Sequence, residues 1–286
     1  MIKLRKQPTG VATGCPLSPI VRFPQEACRA PGTSSIDTPT PLHQSPALQV
    51  YLEHSQKEII GGHEVTPHSR PYMALVKILR DNGERKICGG FLVRDNFVLT
   101  AAHCRGSKMT VKLGAHNIKK QEKTQQVIPV EKAIPHPDYN PKGRPNDIML
   151  LKLKRKAKKT REVNPLNLPR KNVHVKPGDV CSVAGWGRTE PDGKKSSTLQ
   201  EVELTVQKDQ VCESCYPRSY EKTIEICAGD PEIKNAAFKG DSGGPLVCNK
   251  VAAGIVSSGK GDGSPPRVFT RVSSFLSWIE ETMKLS

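Results

Sequence analysis

The segment Gly240–Pro245 places a serine, Ser242, among glycines and directly after an aspartate, a setting suited to an exposed nucleophile. Small neighbours let backbone N–H groups turn toward one point beside the hydroxyl, where a developing oxyanion would be stabilised. A glycine-rich turn of this composition also occurs without any chemistry, so the segment alone leaves both interpretations open. Two segments upstream favour the interpretation of Ser242 as a nucleophile.

A histidine and an aspartate precede the serine, each within a distinct motif. Thr100–Cys104 contains His103, and Asn146–Leu151 contains Asp147. A histidine can act as a general base and a buried aspartate can orient it, so the order His, Asp, Ser predicts acyl transfer through a serine nucleophile. The other seven histidines lack such a context. We interpret them as structural or surface groups.

Short β-strands are expected to position these residues. From Ile59 onward, short apolar runs alternate with Pro-Gly, Asn-Gly and Asp-Gly turns, a pattern typical of all-β barrels and sandwiches. The predicted strands are Tyr72–Leu79, Phe91–Thr100, Met109–Leu113, Asp147–Leu153, Val180–Ala184, Leu199–Val206, Pro245–Val247 and Val251–Ser257. Near the end of the chain, Ser273 or Ser274 can cap a helix. Its apolar, core-facing stripe consists of Phe275, Leu276, Trp278, Ile279 and Met283.

Residues 1–58 differ from the rest of the chain. They contain eight prolines, many Ser and Thr, and no sustained periodicity, which predicts disorder. Lys3, Arg5 and Lys6 resemble the basic start of a signal peptide, but no apolar run of about 7–15 residues follows them. No stretch reaches the roughly 20 apolar residues that cross a membrane. We therefore expect an atypical N-terminal segment, 1–58, and one folded domain, 59–286.

The chain is strongly basic, with 44 Lys and Arg against 28 Asp and Glu, a net charge of +16. Such a charge predicts attraction to polyanions such as sulfated glycans, nucleic acid or anionic membranes, and we expect sulfated glycan or proteoglycan binding through the basic surface. The densest basic run is Lys152–Arg161, which is either a solvated face or a polyanion-binding site. No nucleic-acid recognition motif or aromatic platform accompanies the basic residues, so a specific nucleic-acid partner is not expected.

Nine cysteines are spread along the chain, an odd number. None has the histidine-paired spacing of a zinc site, and Cys212 and Cys215 form a CxxC without a second one. We expect no metal and no cofactor. A disulfide-bonded extracellular or granule domain fits this cysteine usage better.

Five segments, in order, resemble the chymotrypsin-fold serine proteases: Ile59–Gly62, Thr100–Cys104, Asn146–Leu151, Gly185–Gly187 and Gly240–Pro245. Three others resemble the granzymes, particularly granzyme B and its rodent-type relatives: Pro67–Ala74, Leu113–Ile118 and Ile134–Pro137. The resemblance extends over residues 59–286. It implies two packed six-stranded antiparallel β-barrels with a C-terminal α-helix.

The resemblance also implies roles for individual residues. Ser242 would be the nucleophile, His103 the general base and then acid, and Asp147 the group that holds the histidine tautomer. The backbone N–H groups of Gly240 and Ser242 would form the oxyanion hole. After cleavage behind Glu58, the freed amine of Ile59 would pair with the carboxylate of Asp241. How the chain is processed stays open, because a trypsin-like cut after Lys57 would leave one residue too many.

Three disulfides follow from the same resemblance: Cys88–Cys104, Cys181–Cys248 and Cys212–Cys227. Phe238 stands where a fourth pair, common in the family, would have one partner. This pairing leaves Cys215 over, where it could compete with Cys212 for Cys227.

The substrate pocket is assigned through the resemblance as well. Ala236 would lie at its floor, where trypsin-like enzymes carry aspartate, so cleavage after Lys or Arg is not expected. Arg267 matches the granzyme B position whose guanidinium enters the pocket, and a buried guanidinium is suited to a carboxylate. The pocket wall would be Ser257–Gly259, with Ser258 replacing the aromatic residue that relatives usually have. Cleavage after Asp, with Glu second, is therefore expected.

The expected protein is thus a monomeric granzyme-like endopeptidase acting on proteins and peptides, with a cytotoxic, apoptosis-inducing role. Storage in cytolytic granules, secretion and binding to sulfated proteoglycans are implied in the same way. Two alternatives remain open at this point. One is a chymase-like protease that prefers apolar residues before the cleaved bond. The other is an unprocessed, inactive isoform that binds polyanions.

Overall fold

The structure is a computed structural model that describes residues 61–171, 173–188, 193–233 and 235–286. Glu58, Ile59 and the predicted disorder of residues 1–58 lie outside these residues, so the predictions about them stay predictions. The described residues form thirteen β-strands, two α-helices and two short 3₁₀ helices. Neither α-helix has the length and apolar character needed to cross a membrane.

The first half of the described chain closes into a six-stranded antiparallel barrel. Its strands are β2 (Met73–Leu79), β3 (Arg85–Arg94), β4 (Phe97–Thr100), β5 (Lys108–Leu113), β6 (Gln126–Pro135) and β7 (Met149–Leu153). They pair in the order β2-β3-β4-β7-β6-β5, and β5 returns to β2. Phe91, Leu99 and Leu150 are fully buried inside. Each such side chain stabilises the fold by about 1.5–3 kcal/mol through removal of apolar surface from water.

One predicted strand is two strands in the structure. The segment predicted as Phe91–Thr100 contains the end of β3 and all of β4, because the chain reverses tightly at Asp95 and Asn96 so that Arg94 pairs with Phe97. This hairpin has a functional consequence. It directs the end of β4, and the residues after it, toward the second half of the molecule.

The second half forms a seven-stranded sheet in the order β1-β9-β8-β11-β12-β13-β10. The strands are β1 (His63–Glu64), β8 (Val180–Gly185), β9 (Gln200–Thr205), β10 (Glu225–Ala228), β11 (Pro245–Cys248), β12 (Val251–Gly259) and β13 (Arg267–Arg271). A single bridge, Val206–Ala228, joins the end of β9 to β10. Strands β8 to β13 therefore curl into the expected second six-stranded unit, and β1 is an additional two-residue strand at its edge.

The helices differ in detail from the prediction. Helix α1, Asp209–Cys215, was not predicted, and helix α2 is Leu276–Leu285. A 3₁₀ helix, Val272–Phe275, precedes α2, so neither Ser273 nor Ser274 caps it. The Ser274 hydroxyl instead donates a hydrogen bond to the Thr223 carbonyl. The apolar stripe is nevertheless placed as expected, because Leu276, Ile279 and Met283 are buried in the main core.

The three expected disulfides are present, namely Cys88–Cys104, Cys181–Cys248 and Cys212–Cys227. The first fixes the start of β3 to the chain just after β4, and the second joins β8 to the end of β11. The interpretation of Cys215 as a leftover thiol is wrong, because Cys215 is itself disulfide-bonded.

Candidate active site

His103 is held close to the first barrel by covalent and hydrogen bonds. It lies in a 3₁₀ helix, Ala102–Cys104, that directly follows β4, and Cys104 is tied to Cys88 at the start of β3. Its Nδ1 lies 2.7 Å from Oδ2 of Asp147, and its backbone N–H donates to Oδ1 of the same carboxylate at 2.9 Å. The Nδ1 contact therefore fixes the ring orientation, the backbone bond holds the same carboxylate in place, and Nε2 is directed away from Asp147.

Asp147 lies two residues before β7 and is only 1% exposed. The Ser257 hydroxyl donates to its Oδ2 at 2.6 Å, and the Thr270 hydroxyl donates to its backbone carbonyl at 2.9 Å. Burial alone would raise the pKa of Asp147, but the hydrogen bonds and charge of His103, together with the bond from Ser257, hold it below its usual value. The carboxylate therefore stays ionised and able to stabilise a protonated imidazole.

Ser242 lies in the turn that connects Phe238 to strand β11. Gly240 has φ of +117°, a conformation that residues with a side chain rarely adopt, so this turn requires a glycine there. Within the described part of the chain, no backbone hydrogen bond is donated by the N–H of Gly240 or of Ser242. The Ser242 carbonyl accepts from the N–H of Gly89 at 2.8 Å, which anchors the turn to β3.

Asp241 points away from this cleft into the protein and is fully buried. Its carboxylate accepts the backbone N–H groups of Gly187 at 2.8 Å and Phe238 at 2.9 Å. A Cβ on Gly185 or Gly187 would lie 2.1 or 2.4 Å from a carboxylate oxygen, which explains the two glycines of the Gly-Trp-Gly motif. Burial raises the pKa of Asp241 to about 6 even against these two hydrogen bonds.

A cleft of roughly 890 Å³ contains His103, Ser242 and Gly240 on its borders. Ser257, Ser258 and Gly259, at the end of β12, form part of its wall. Val256 still exchanges backbone hydrogen bonds with Gly243 and Gly244, but beyond Val256 strand β12 pairs only with β13 among the described residues. One edge of Ser257–Gly259 is therefore available to an extended peptide through main-chain hydrogen bonds.

Arg267 borders the same cleft and is only 7% exposed. Its Nη1 donates to the Lys260 carbonyl at 2.8 Å, and its Cζ lies 5.8 Å from the centre of the Phe238 ring. A Cβ on Gly259 would fall 2.3 Å from that Cζ, so the absence of a side chain at Gly259 makes room for the guanidinium. Ala236 is fully buried and is not among the residues that border the cleft.

The guanidinium of Arg267 retains unused donor capacity. Its Nε is buried without a hydrogen-bond partner, and no carboxylate forms an ion pair with it among the described residues. Burial lowers the pKa of Arg267, although a guanidinium this basic remains charged at neutral pH. Asp241 and Asp262 act on this charge only from a distance, and a buried charge without a carboxylate in direct contact is costly, so the site favours an incoming anion.

The charge of the cleft was not predicted. Eight of the described residues on its borders are basic and none is acidic. The basic ones are Arg80, Lys86, Arg144, Arg188, Lys195, Lys239, Lys260 and Arg267. Arg144 even donates to the Ser257 carbonyl at 3.2 Å, on the open edge of β12. The sequence contains these residues in separate segments, and no linear pattern brings them together.

Other candidate ligands are accounted for by their contacts. His116 is buried with Nε2 2.7 Å from a Glu64 carboxylate oxygen, and His136 packs against Phe275 and Trp278. Cys88, His103 and Cys104 lie close enough together to suggest a metal site. The two sulfurs are joined in a disulfide, however, and so cannot serve as thiolate ligands.

Comparisons with known proteins agree with this geometry. Residues 59–279 match the protein family described as Trypsin. Granzyme B(G,H) of Mus musculus is 73% identical over 229 residues, 80% of this chain and 92% of that protein. Granzyme B of Homo sapiens is 66% identical over 227 residues, 79% of this chain and 92% of that protein. A solved structure of GrC, 68% identical, superposes with a TM-score of 0.77 and covers 79% of this chain and 100% of its own.

Proposed function

Since the chain belongs to the Trypsin family and is a granzyme-like serine endopeptidase, we propose that it cleaves peptide bonds after Asp, and next after Glu. In this proposal the Ser242 hydroxyl attacks the peptide carbonyl and forms an acyl-enzyme. His103 accepts the hydroxyl proton at Nε2 and then delivers it to the leaving amine. Asp147 keeps the Nδ1 proton in place and stabilises the imidazolium that forms.

The backbone N–H groups of Gly240 and Ser242 are proposed to bind the oxyanion of the tetrahedral intermediate. Two observations support this assignment: neither N–H group donates to another backbone group of the described chain, and both residues border the cleft. Loss of one such donor typically lowers the rate by about 10²–10³. The open edge formed by Ser257, Ser258 and Gly259 would align the residues before the cleaved bond.

The acidic preference rests on one observation, the buried guanidinium of Arg267 with an unpartnered Nε beside the cleft. A substrate carboxylate would supply the missing acceptor and a counter-charge in direct contact. An apolar side chain would leave the guanidinium buried and unpaired, which costs about 3–5 kcal/mol where a buried pair loses one member. No acidic residue of the described chain borders the cleft, and Ala236, which is buried outside its border, carries no carboxylate that could attract Lys or Arg.

Activation is proposed to require cleavage after Glu58. The freed amine of Ile59 would pair with Asp241, whose buried carboxylate has only two backbone donors among the described residues. A positive charge there would lower the pKa of Asp241 from about 6 and hold the turn that carries Gly240. A fluorophosphonate probe tests this idea, because it labels only a competent serine. Equal labelling of the uncut chain and of the chain cut after Glu58 would rule it out.

Substrate preference is tested with peptides that differ only in the residue before the cleaved bond, carrying Asp, Glu, Phe or Lys. For the processed enzyme, kcat/KM is expected to rank Asp above Glu, with Phe and Lys at least 100-fold lower. Arg267→Ala should lower kcat/KM for Asp by about 10²–10⁴, as about 3–5 kcal/mol predicts. Arg161→Ala, an equal charge loss at an exposed site, is the matched control. A Phe preference in the wild type would instead identify a chymase-like protease.

A role in cytotoxic granules, as a monomer bound to sulfated proteoglycan, is proposed from the granzyme names of the relatives and from the net charge of +16. In the basic run Lys152–Arg161, Lys152 pairs with Glu131 and Lys156 with Asp95, while Lys154, Lys158, Lys159 and Arg161 are exposed. Changing these four to Gln should lower the salt concentration that elutes the protein from immobilised heparin. Unchanged elution would indicate that the basic run is only a solvated face and does not bind heparin.

A further inference from the structure

Two histidines that do not border the active-site cleft lie side by side in the fold. His68 is in the turn before β2, and His116 comes shortly after the end of β5. Strands β2 and β5 are paired, with Ala74 opposite Leu113, so two distant parts of the chain meet here. The ring centres of His68 and His116 are 6.3 Å apart, and the ring planes are inclined by 64°.

Each of these histidines has a buried ring nitrogen that makes no hydrogen bond. Nδ1 of His68 and Nδ1 of His116 are both shielded from solvent, and neither has a partner among the described residues. His116 is only 7% exposed as a whole. A buried polar atom without a partner costs free energy, because it has lost its water without compensation. Two such atoms on adjacent rings therefore favour a ligand that binds to both.

The contact between His116 and Glu64 determines which nitrogen of His116 is left over. Nε2 lies 2.7 Å from Oε1 of Glu64, and an ionised carboxylate only accepts hydrogen bonds, so Nε2 carries the proton. In the neutral ring, Nδ1 then holds a lone pair. A carboxylate on one nitrogen and a metal ion on the other is the usual arrangement of histidine ligands in zinc sites. His116 is therefore held in the tautomer that a metal ion requires.

His68 is presented to His116 by an unusual backbone conformation. Its φ is +62°, a left-handed value that residues with a side chain seldom adopt. The turn is closed by the next residue, Ser69, whose N–H donates to the Thr66 carbonyl at 3.0 Å. His68 as a whole is half-buried, whereas His116 is buried. A small ion can therefore enter from the side of His68.

A carboxylate next to the two rings favours a cation, in contrast to the basic cleft. Glu122 accepts the His116 backbone N–H at 2.8 Å, and its charge also interacts with His68. Burial alone would raise the pKa of Glu122, but hydrogen bonds from Asn117, Gln125 and His116 hold it below its usual value. Glu122 therefore stays ionised and contributes negative charge beside the imidazoles.

We propose that His68 and His116 bind one zinc-like transition-metal ion through their Nδ1 atoms. Imidazole nitrogens suit Zn²⁺, whereas Ca²⁺ and Mg²⁺ prefer oxygen ligands. With Zn–N bonds of about 2.0–2.1 Å, two imidazoles on one ion have ring centres about 5–6 Å apart, so binding needs a closure of about 1 Å or less. No third His, Cys, Asp or Glu of the described chain forms a ligand group with this pair, which leaves the other positions of the ion to water.

The expectation of no metal rested on the spacing of cysteines and histidines along the sequence. That spacing does not detect His68 and His116, which come from separate segments and meet only in the folded chain. A bound ion would connect the turn before β2 to the loop after β5. Because it would bind the folded chain and not the unfolded one, it would also stabilise the fold.

The test measures Zn²⁺ binding to the untagged, full-length chain by titration calorimetry, with the unfolding temperature Tm as a second readout. The wild type is expected to bind sub-millimolar Zn²⁺ and to show a higher Tm in its presence, and Ca²⁺ should do neither. H68N keeps a residue that tolerates the left-handed backbone but removes one of the two ligands, so both effects should be lost. H174Q removes an exposed histidine and is the matched control.

A second variant tests the role of the carboxylate behind His116. E64Q still accepts a hydrogen bond from Nε2 but lacks the negative charge. Its affinity for Zn²⁺ should fall by about 10-fold or more, since partners of ligating histidines typically contribute that much. Equal affinity in E64Q and the wild type would contradict the assignment of Nδ1 as the ligand atom.

Two further results would overturn the proposal, and neither depends on cleavage of any substrate. One is the absence of Zn²⁺ binding and of a Tm change in the wild type, which would assign the two nitrogens to a bridging water instead. The other is Zn²⁺ binding that persists in H68N and disappears in H103A, which would place the ion in the active-site cleft.

Discussion

Glu225, the first residue of β10, is a buried carboxylic acid that gives a pH-dependent stability prediction. It is 3% exposed, and its carboxylate accepts one described hydrogen bond, from the Glu221 N–H at 2.8 Å. The nearby Arg271 donates to its backbone carbonyl instead of to its carboxylate. Burial raises the pKa of Glu225 to about 7, and the negative charges of Asp147 and Glu221 act in the same direction.

The direction and the size of the pH effect on the free energy of unfolding follow from proton linkage. An unfolded glutamate has a pKa near 4.5, so between about pH 4.5 and 7 the folded protein binds more protons than the unfolded one. The free energy of unfolding therefore falls as the pH rises through this window. A difference of about 2.5 pKa units, at about 1.4 kcal/mol each, gives a loss that approaches about 3.5 kcal/mol well above pH 7.

Glu225→Gln keeps an acceptor for the Glu221 N–H but cannot ionise. Its free energy of unfolding, measured by urea titration with the disulfides intact, should match the wild type near pH 4.5 and exceed it by up to about 3 kcal/mol at pH 8. Other titrating groups cancel in this difference because they are common to both proteins. A difference that is constant from pH 4 to 8 would refute the reasoning, since it would show that Glu225 has a similar pKa in both states.

Two further predictions concern residues that contact the proposed active site. Ser257→Ala removes a hydrogen bond to the buried carboxylate of Asp147. Because a hydrogen bond to a charged group contributes about 1.5–3 kcal/mol, kcat should fall by about 10- to 100-fold with little change in KM. An unchanged kcat would contradict this prediction. Gly187→Ala places a Cβ 2.4 Å from the Asp241 carboxylate, so fluorophosphonate labelling of the processed chain should be lost. Gly261→Ala, where a Cβ meets no atom within 4 Å, should label normally.

Local patterns in the sequence predict much of the fold. Strands β2, β5, β8, β9, β11 and β12 coincide with predicted runs within a few residues, because each has buried apolar side chains between turn residues. Strand β6, Gln126–Pro135, has no such signature. Most of its residues are half-buried or exposed and two are proline, so its place in the barrel comes from pairing with β5 and β7.

Local sequence does not reveal which distant residues share a surface. The residues of the proposed triad were predicted because each has its own motif, and Arg267 because of its place in a family pattern. The basic residues of the cleft, such as Arg80, Arg144 and Lys239, have no motif and are brought together only by the tertiary fold. Glu225 was missed for a similar reason, since its burial depends on packing against elements far along the chain.

Asp147 connects the two halves of the molecule through hydrogen bonds. Its side chain receives His103 from the first barrel and Ser257 from β12, and its backbone receives Thr270 from β13. No rearrangement can separate the two halves without breaking bonds to this one residue. Catalytic activity would therefore require contact between the two halves. If the chain were cut in the segment that connects them, the two fragments would regain activity only upon reassociation.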